Sequence, residues 1–132
     1  MIGDEASIMV VAAVIQRNEA YLVCRRPVGK EHGGLWEFPG GKVEAFETPG
    51  CALSRELREE LELTATKIGS LLFSHQEVGS RFRINFFPVE VTGEPVALEH
   101  SEVSWVSREQ LQLYPLAPTD KRFVEFMIER SS

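Results

Sequence analysis

Residues 41–63, GKVEAFETPGCALSRELREELEL, decide the fold, because a glycine turn, a helix start and an amphipathic helix follow one another in this stretch. Thr48 is expected to cap the helix, and Pro49 suits its first turn, where a missing N–H leaves no bond unmade. The apolar positions recur at helical spacing and predict a buried stripe made of Leu53, Leu57 and Leu61. The stretch therefore predicts a central helix with one face in the interior.

An acidic cluster lies on the same helix, formed by Glu56, Glu59 and Glu60. At spacings of i, i+3 and i+4 these carboxylates project from one helical face, within reach of a shared cation. Oxygen ligands of this kind suit Mg2+ or Mn2+, which keep part of their water shell and bridge to phosphate oxygens. The alternative is a solvated helix face with weak i,i+4 charge pairs. The cluster on its own leaves both interpretations open.

Fixed spacing favours the metal site. Gly41 is followed six residues on by Glu47, and then by the REL run at 55–57 and the acid pair at 59–60. This series resembles the Nudix box, G-x5-E-x7-R-E-U-x-E-E-x-G-U, in which U is a bulky aliphatic residue. Glu62 stands where the box has its last glycine. Residues at this position often adopt left-handed backbone geometry, which is about 1 kcal/mol less favourable for glutamate than for glycine. The chain is identified as a member of the Nudix family on this pattern.

The resemblance extends over nearly the whole chain. LWEFPGGKVE at 35–44 and YPLAPTD at 114–120 resemble MutT-type nucleotide pyrophosphohydrolases, above all the bacterial CTP pyrophosphohydrolase branch. The resemblance implies an α/β fold, the Nudix-type α/β/α sandwich with a mixed β-sheet. It implies Mg2+-dependent attack of water on CTP, dCTP or a modified or oxidised nucleotide, which yields the monophosphate and pyrophosphate. Mn2+ is the alternative cofactor, and the expected role is nucleotide-pool sanitation and DNA repair.

Three other functions stay open at this stage. Two are enzymes on the same scaffold, an 8-oxo-dGTP diphosphatase of the MutT kind and an RNA 5′-pyrophosphohydrolase. The third is a non-hydrolytic nucleotide-sensing module, which would have no need for a costly cluster of like charges.

The resemblance also implies catalytic roles by position. The implied metal ligands are all oxygen donors: the Gly40 carbonyl and the carboxylates of Glu56, Glu59 and Glu60. Arg55 would orient a carboxylate, and Glu47 would support the loop and the helix start. Glu59 is the expected general base. Glu99, six residues before Trp105, is the competing base and is otherwise an ordinary exposed loop acid.

The expected substrate-binding residues are Arg26, Glu37, Arg81 and Asp120. Arg26 aligns with a phosphate-contacting arginine, and Glu37 and Asp120 flank the expected base pocket. A carboxylate accepts from the exocyclic amine of cytosine or adenine, so an acid there favours an amino-bearing base. Asp120 is alternatively a first-turn residue that interacts with the helix dipole. Arg81 is alternatively a strand arginine that points to water.

Some aromatic and basic residues are expected to lie outside the chemistry. Trp36 and Phe82 could stack on a base, but an aromatic residue on an alternating strand is more often part of the core. The histidines are scattered without ligand spacing and are expected to carry no essential chemistry: His32, His75 and His100.

The first half of the chain also predicts strands. Residues 8–17 and 20–26 flank Asn18-Glu19 and predict a hairpin. Residues 35–38 predict a short strand that ends in a turn at 39–41. The glycines of this turn are expected to allow positive φ and a close backbone approach to a ligand.

The second half continues the mixed pattern. Strands are predicted over residues 68–74, 81–91 and 103–106. The side-chain alternation of the second of these is expected to shift at Pro88. Ser107 and Gln110 fit a capping box that starts a short helix, and residues 119–130 have the apolar spacing of a last helix. Strands mixed with two longer helices predict an α/β/α sandwich.

Composition limits the partners and the setting. The 132 residues are expected to form a single domain, 1–132, and the formal net charge is −6 with no block of basic residues. This charge argues against a long nucleic acid and leaves a small nucleotide whose charge a metal ion balances. Cys24 and Cys51 have no metal spacing and indicate reduced thiols in the cytoplasm. No secretion signal or membrane segment is predicted, and the protein is expected to be a monomer or weak dimer.

Overall fold

The computed structural model describes residues 7–130, in which strands alternate with helices. In chain order the elements are β1 Ile8–Val14, β2 Gln16–Arg17, β3 Ala20–Arg25, β4 Trp36–Glu37, β5 Gly40–Lys42, α1 Pro49–Leu61, β6 Thr64–Ile68, β7 Phe73–His75, β8 Phe82–Thr92, β9 Glu102–Ser107, α2 Arg108–Leu111 and α3 Pro118–Arg130. None of the described helices has the length and apolar character needed to cross a bilayer.

The strands form two sheets. In the first, β1 pairs antiparallel with β5 and parallel with β8, and β8 also pairs with β6 and β7. In the second, β3 pairs with β9 on one edge and with β2 and β4 on the other. Parallel and antiparallel pairing therefore coexist, which gives the predicted mixed β-sheet.

Side-chain alternation on β1 produces the layers. Val11 and Ala13 belong to the core cluster that contains the leucines of α1, whereas Ala12 and Val14 belong to the cluster that contains Phe123 of α3. Successive side chains of a strand point to opposite faces, so each face of the sheets is covered by a different helix. The predicted α/β/α sandwich is confirmed.

Helix α1 starts and ends as predicted. The Thr48 hydroxyl accepts a hydrogen bond from Cys51 N at 3.1 Å, and proline opens the first turn. The predicted stripe of Leu53, Leu57 and Leu61 is fully buried. Glu62 ends the helix with φ 59° and ψ 31°, the left-handed geometry expected for the position of the missing glycine.

Two other local predictions are confirmed. Asn18 and Glu19 have φ of 52° and 66°, and this two-residue turn places Arg17 opposite Ala20 in the hairpin. At the start of α2, Ser107 and Gln110 form the capping box.

The strand prediction over residues 68–74 was wrong. Strand β6 ends at Ile68 and β7 begins at Phe73. The residues between them, 69–72, lie opposite Phe87 and Pro88 without regular pairing. The Pro88 carbonyl accepts a hydrogen bond from Gly69 N at 2.9 Å. The Pro88 nitrogen points to the same neighbouring segment, residues 69–72, but has no hydrogen to donate to it. The hydrogen-bond ladder cannot continue there.

The predicted change of alternation within β8 was also wrong. Ile84 and Phe86 contact the α3 cluster, and Phe87 and Val89 contact the α1 cluster, so the alternation continues through Pro88. The irregularity lies in the neighbouring strands, not in β8 itself.

Candidate functional site

A cavity of about 230 Å³ lies where β1, β4 and β5 meet α1 and the start of α3. Carboxyl groups from four different segments line it: Glu37, Glu60, Glu99 and Asp120. Basic side chains share the same walls: Arg26, Lys30 and His100. A larger groove of about 690 Å³ runs between α3 and β8, but its walls are mainly apolar and Glu90 is its one acid among the described residues. The chemistry therefore points to the smaller cavity.

The glycines of β5 allow a close approach to β1 at Gly40 and to α1 at Gly41. A Cβ on Gly40 would overlap the Val11 carbonyl oxygen, and a Cβ on Gly41 would overlap the Glu56 carboxylate. Neither glycine has a positive φ, so the left-handed geometry that glycine allows is not used here. These positions require glycine because there is no room for a side chain.

Arg55 holds the acids at the start of α1. Its guanidinium donates to both carboxylate oxygens of Glu47, at 2.7 and 2.9 Å, and to the Lys42 carbonyl at 3.0 Å. Its Nη1 also donates to Glu56 at 3.2 Å and to Glu59 at 3.3 Å. The hydrogen bonds from Arg55 lower the pKa of Glu47 to about 2. These contacts join Glu47, in the loop before α1, to the acids on the helix through one guanidinium.

Glu56 and Glu60 form an acidic pair, in which Glu60 is buried and Glu56 is half-buried. Glu60 is 8% exposed, and its Oε1 is buried without a hydrogen-bond partner in the described part of the chain. Burial, followed by the charge of Glu56, raises the pKa of Glu60 to about 9, and burial also raises the pKa of Glu56. A pair of this kind cannot carry two charges without a nearby cation.

Glu59 is placed differently from the other two acids. Its side chain is 54% exposed and turned toward Arg55. Within residues 7–130, no group of three or more His, Cys, Asp or Glu side chains is arranged to hold a metal ion. The donor set still fits a hard divalent cation, because all its atoms are oxygens and one of them is buried without a partner.

Glu99 is brought to the cavity by the segment before β9. Leu98 N donates to the Glu60 carbonyl at 3.0 Å, and Ser101 N donates to the Arg25 carbonyl at 3.0 Å. The Glu99 side chain is exposed and lines the cavity, and its charge contributes to the raised pKa of Glu60. Its position is compatible with a second acid near the reacting phosphate.

Glu37 is held on both sides. Arg26 Nη1 donates to its Oε1 at 3.1 Å, and His100 Nε2 lies 2.9 Å from its Oε2. Arg26 also donates from Nε to the Glu31 carbonyl at 2.7 Å. His100 was expected to carry no essential chemistry, and its place in the cavity wall was missed because contact with Glu37 joins residues 63 positions apart.

Asp120 lies at the start of α3 and is buried. Its Oδ1 accepts from Phe38 N at 2.8 Å. Burial, followed by the charge of Glu37, raises the pKa of Asp120 to about 8. The raised pKa favours the protonated form of this carboxyl at neutral pH, and in that form it can donate a hydrogen bond as well as accept one.

The remaining predicted residues lie outside the cavity. Arg81 is exposed and does not appear among the described residues that line it. Trp36 is buried in the core, with its ring 5.2 Å from that of Tyr114 in an edge contact. Phe82 is partly buried, and Lys42 Nζ lies 5.6 Å from its ring centre. Both aromatic residues occupy sheet positions and do not line the cavity, within the part of the chain that the structure describes.

Known proteins resemble this chain over nearly its whole length. The NUDIX domain family matches residues 7–127. The chain is 44% identical over 129 residues to CTP pyrophosphohydrolase of Escherichia coli, with 95% of each chain covered. It is 33% identical over 132 residues to 8-oxo-dGTP diphosphatase of Haemophilus influenzae, with 96% of each chain covered. The solution structure of the E. coli ORF135 protein has a TM-score of 0.83 at 43% identity, covering 95% of this chain and 91% of that one.

Proposed function

The chain belongs to the Nudix family, and from this premise we propose that it hydrolyses CTP, dCTP or a modified relative to the monophosphate and pyrophosphate. The observation that carries the proposal is the acidic pair Glu56 and Glu60, because Glu60 lines the same cavity as Glu37 and Asp120. The first two residues suit a cation that binds phosphate, and the second two suit a base.

The proposed cofactor is Mg2+, with Mn2+ as the alternative. The groups that would hold it are the Gly40 carbonyl and the carboxylates of Glu56, Glu59 and Glu60. A bound divalent ion lowers the pKa of a water molecule and neutralises charge on the phosphoryl oxygens.

The chain's own residues orient the acids and take the proton. Arg55 holds Glu56 and Glu59 through one nitrogen, Nη1, so the two carboxylates lie close together beside the guanidinium. Glu59 is the proposed general base, because it is exposed at the edge of the acidic pair and free to meet a water molecule. Glu99 is the competing base, since it reaches the same cavity from the loop before β9.

Base recognition is proposed to use one acceptor and one donor. The Glu37 carboxylate would accept from an exocyclic amine, and the protonated Asp120 would donate to the neighbouring ring nitrogen or carbonyl oxygen. Cytosine presents an amino group beside the N3 acceptor, which matches this pair. Arg26 and Lys30 supply positive charge at the cavity for the phosphates.

A second candidate is hydrolysis of 8-oxo-dGTP. The observation that favours it is the similarity to the Haemophilus influenzae enzyme, which extends over nearly the whole chain. The edge of a guanine-type base offers the O6 acceptor beside the N1–H donor, so an acceptor and a donor at Glu37 and Asp120 also match it. The higher identity to CTP pyrophosphohydrolase, 44% over 129 residues against 33% over 132 residues, favours the cytosine substrate.

We place the reaction in one domain spanning residues 1–132, in the cytoplasm, with a monomer or weak dimer as the active form. Both cysteines, Cys24 and Cys51, are free, which supports a reducing setting.

The test is a panel of normal and modified triphosphates incubated with Mg2+ or Mn2+, with the products separated. Monophosphate and pyrophosphate are expected, with the highest kcat/KM for a cytosine nucleotide. A highest kcat/KM for 8-oxo-dGTP would favour the second candidate. Tight binding of nucleotides without turnover would contradict hydrolysis and favour a sensing module.

A further inference from the structure

We propose that His100 is a positioning residue of the nucleotide cavity, which orients the Glu37 carboxylate for base selection. The inference rests on the proposed function, because it assigns a role within that cavity. His100 would contact the base only through Glu37.

The ring of His100 is buried in the cavity wall. Its side chain is 6% exposed, and the loop that carries it is held by hydrogen bonds from Leu98 and Ser101 to α1 and β3. Leu98 and Ser101 lie on either side of His100 in the chain, and both are hydrogen-bonded to regular elements. The ring therefore has a defined position relative to β4.

The contact with Glu37 has a defined donor. Nε2 lies 2.9 Å from Glu37 Oε2, and an ionised carboxylate only accepts, so Nε2 carries the hydrogen. Nδ1 is buried and has no hydrogen-bond partner in the described residues. Buried ring nitrogens normally have a hydrogen-bond partner within the protein. A nitrogen without one is expected where the ring lines a cavity that receives a ligand.

Two donors from different segments hold the carboxylate. Arg26 Nη1 donates to Oε1 at 3.1 Å and more weakly to Oε2 at 3.3 Å, and His100 lies closer to Oε2, at 2.9 Å. The last torsion of a glutamate is otherwise broad. Without His100, Oε2 would keep only the longer 3.3 Å hydrogen bond from Arg26, so other orientations of Glu37 would become accessible. His100 therefore determines where the acceptor for the base lies.

A matched pair exists elsewhere on the molecule. His75 Nε2 lies 3.2 Å from Glu77 Oε2, and neither residue is among the described residues that line the cavity. Substitution of His75 therefore controls for the loss of a histidine–glutamate contact as such.

The decisive variants are His100→Asn and His100→Gln. Asparagine reaches only the position of Nδ1, whereas glutamine places an N–H donor near that of Nε2. We expect His100→Asn to lower kcat/KM for the preferred triphosphate about 10- to 100-fold, as for loss of a hydrogen bond to a charged group. The loss should be mainly in KM and should reduce the preference among bases. His100→Gln should restore both, and His75→Asn should change neither.

Further measurements separate the possible failures. In a Glu37→Gln background, His100→Asn should have little further effect, because both changes act on one contact. If the unaltered protein hydrolyses no triphosphate, the proposed function fails. If it is active and His100→Asn keeps the ranking of bases, the positioning role is overturned while the function stands. Should His100→Asn not fold, ¹⁵N NMR of the unaltered protein decides: Nε2–H is expected, and a ring with its hydrogen on Nδ1 alone would overturn the inference.

Discussion

Glu47, Glu60 and Asp120 carry the same functional group in three different surroundings. Glu47 is tied to Arg55, and that hydrogen bonding lowers its pKa to about 2. Burial raises the pKa of Glu60 to about 9 and that of Asp120 to about 8. At neutral pH the first is therefore charged, whereas the other two hold a proton when no cation is near.

The general base can be tested by substitution. Glu59→Gln is expected to lower kcat by about 10²- to 10⁴-fold, the usual contribution of a positioned base. Its thermal unfolding should be unchanged, because the side chain is 54% exposed. Glu125→Gln, on the exposed face of α3, is the control and should leave turnover normal. Near-normal turnover in Glu59→Gln together with a large loss in Glu99→Gln would assign the base to Glu99.

The protonated state of Asp120 predicts a pH dependence of stability. Its pKa is raised from 3.8 to about 8 in the folded protein, so the unfolded chain loses the proton first as the pH rises. The protonated Asp120 therefore adds to the free energy of unfolding below pH 4. This contribution is lost between about pH 4 and pH 8, at about 1.4 kcal/mol per pH unit.

Asp120→Asn should remove this contribution, because the amide keeps an acceptor for Phe38 N and does not titrate. Chemical denaturation of both proteins at pH 5 and pH 8 measures the difference. Equal pH dependence of the two free energies of unfolding would show that Asp120 is ionised in the folded protein.

Strand β5 approaches two different elements through its two glycines, β1 at Gly40 and α1 at Gly41. The atom that a Cβ on Gly40 would meet belongs to the Val11 backbone, which cannot move independently. The atom that a Cβ on Gly41 would meet is the end of the flexible Glu56 side chain. The two positions should therefore respond differently to alanine.

Gly40→Ala is expected to destabilise the fold by about 1–3 kcal/mol or more. Gly41→Ala should keep most of the stability but lower kcat about 10²-fold, because it displaces Glu56 from its position. Gly50→Ala is the matched control, since its Cβ would lie an ordinary 3.6 Å from Ile68 and alanine favours the helix. Normal turnover in Gly41→Ala would argue against a role for Glu56 in the reaction.

The end of α1 carries strain that glycine would relieve. Glu62 has φ 59°, so Glu62→Gly should raise the free energy of unfolding by up to about 1 kcal/mol and keep activity. Glu62→Ala removes the carboxylate but keeps the strain, and should give no such gain. Denaturant titration distinguishes them, and a large loss of turnover in Glu62→Gly would show that this position serves the reaction.

The whole molecule combines a net charge of −6 with an acidic cavity. Binding of a polynucleotide depends on many cationic contacts with its backbone and weakens steeply with salt. A nucleotide needs positive charge at one place only, which a divalent ion supplies. The charge distribution thus favours a free nucleotide over RNA.

This preference predicts the response to RNA substrates. A short RNA with a 5′-triphosphate should be hydrolysed with lower kcat/KM than the preferred nucleotide, and that value should change little between low and moderate salt. Measurement of pyrophosphate release over a salt series tests it. An RNA substrate that is preferred, and whose kcat/KM falls steeply with salt, would favour an RNA 5′-pyrophosphohydrolase.

Local sequence alone determined the parts of this protein that depend on neighbouring residues. The Thr48 cap, the leucine stripe of α1, the turn at Asn18-Glu19 and the spacing of the acidic cluster all follow from contacts within a few positions. Helical and strand periodicity place such residues on one face whatever surrounds them. The layered fold followed from the same periodicities.

Tertiary structure decided what depends on burial and on contacts between distant segments. The break between β6 and β7 follows from pairing with Pro88, and the contacts of Arg55 with Glu47 and the Lys42 carbonyl tie α1 to the segment before it. The proton on Asp120 and the contact of His100 with Glu37 arise only where separate segments enclose a cavity. Charge and hydrogen bonding depend on distance and on access to water, and neither is a property of position along the chain.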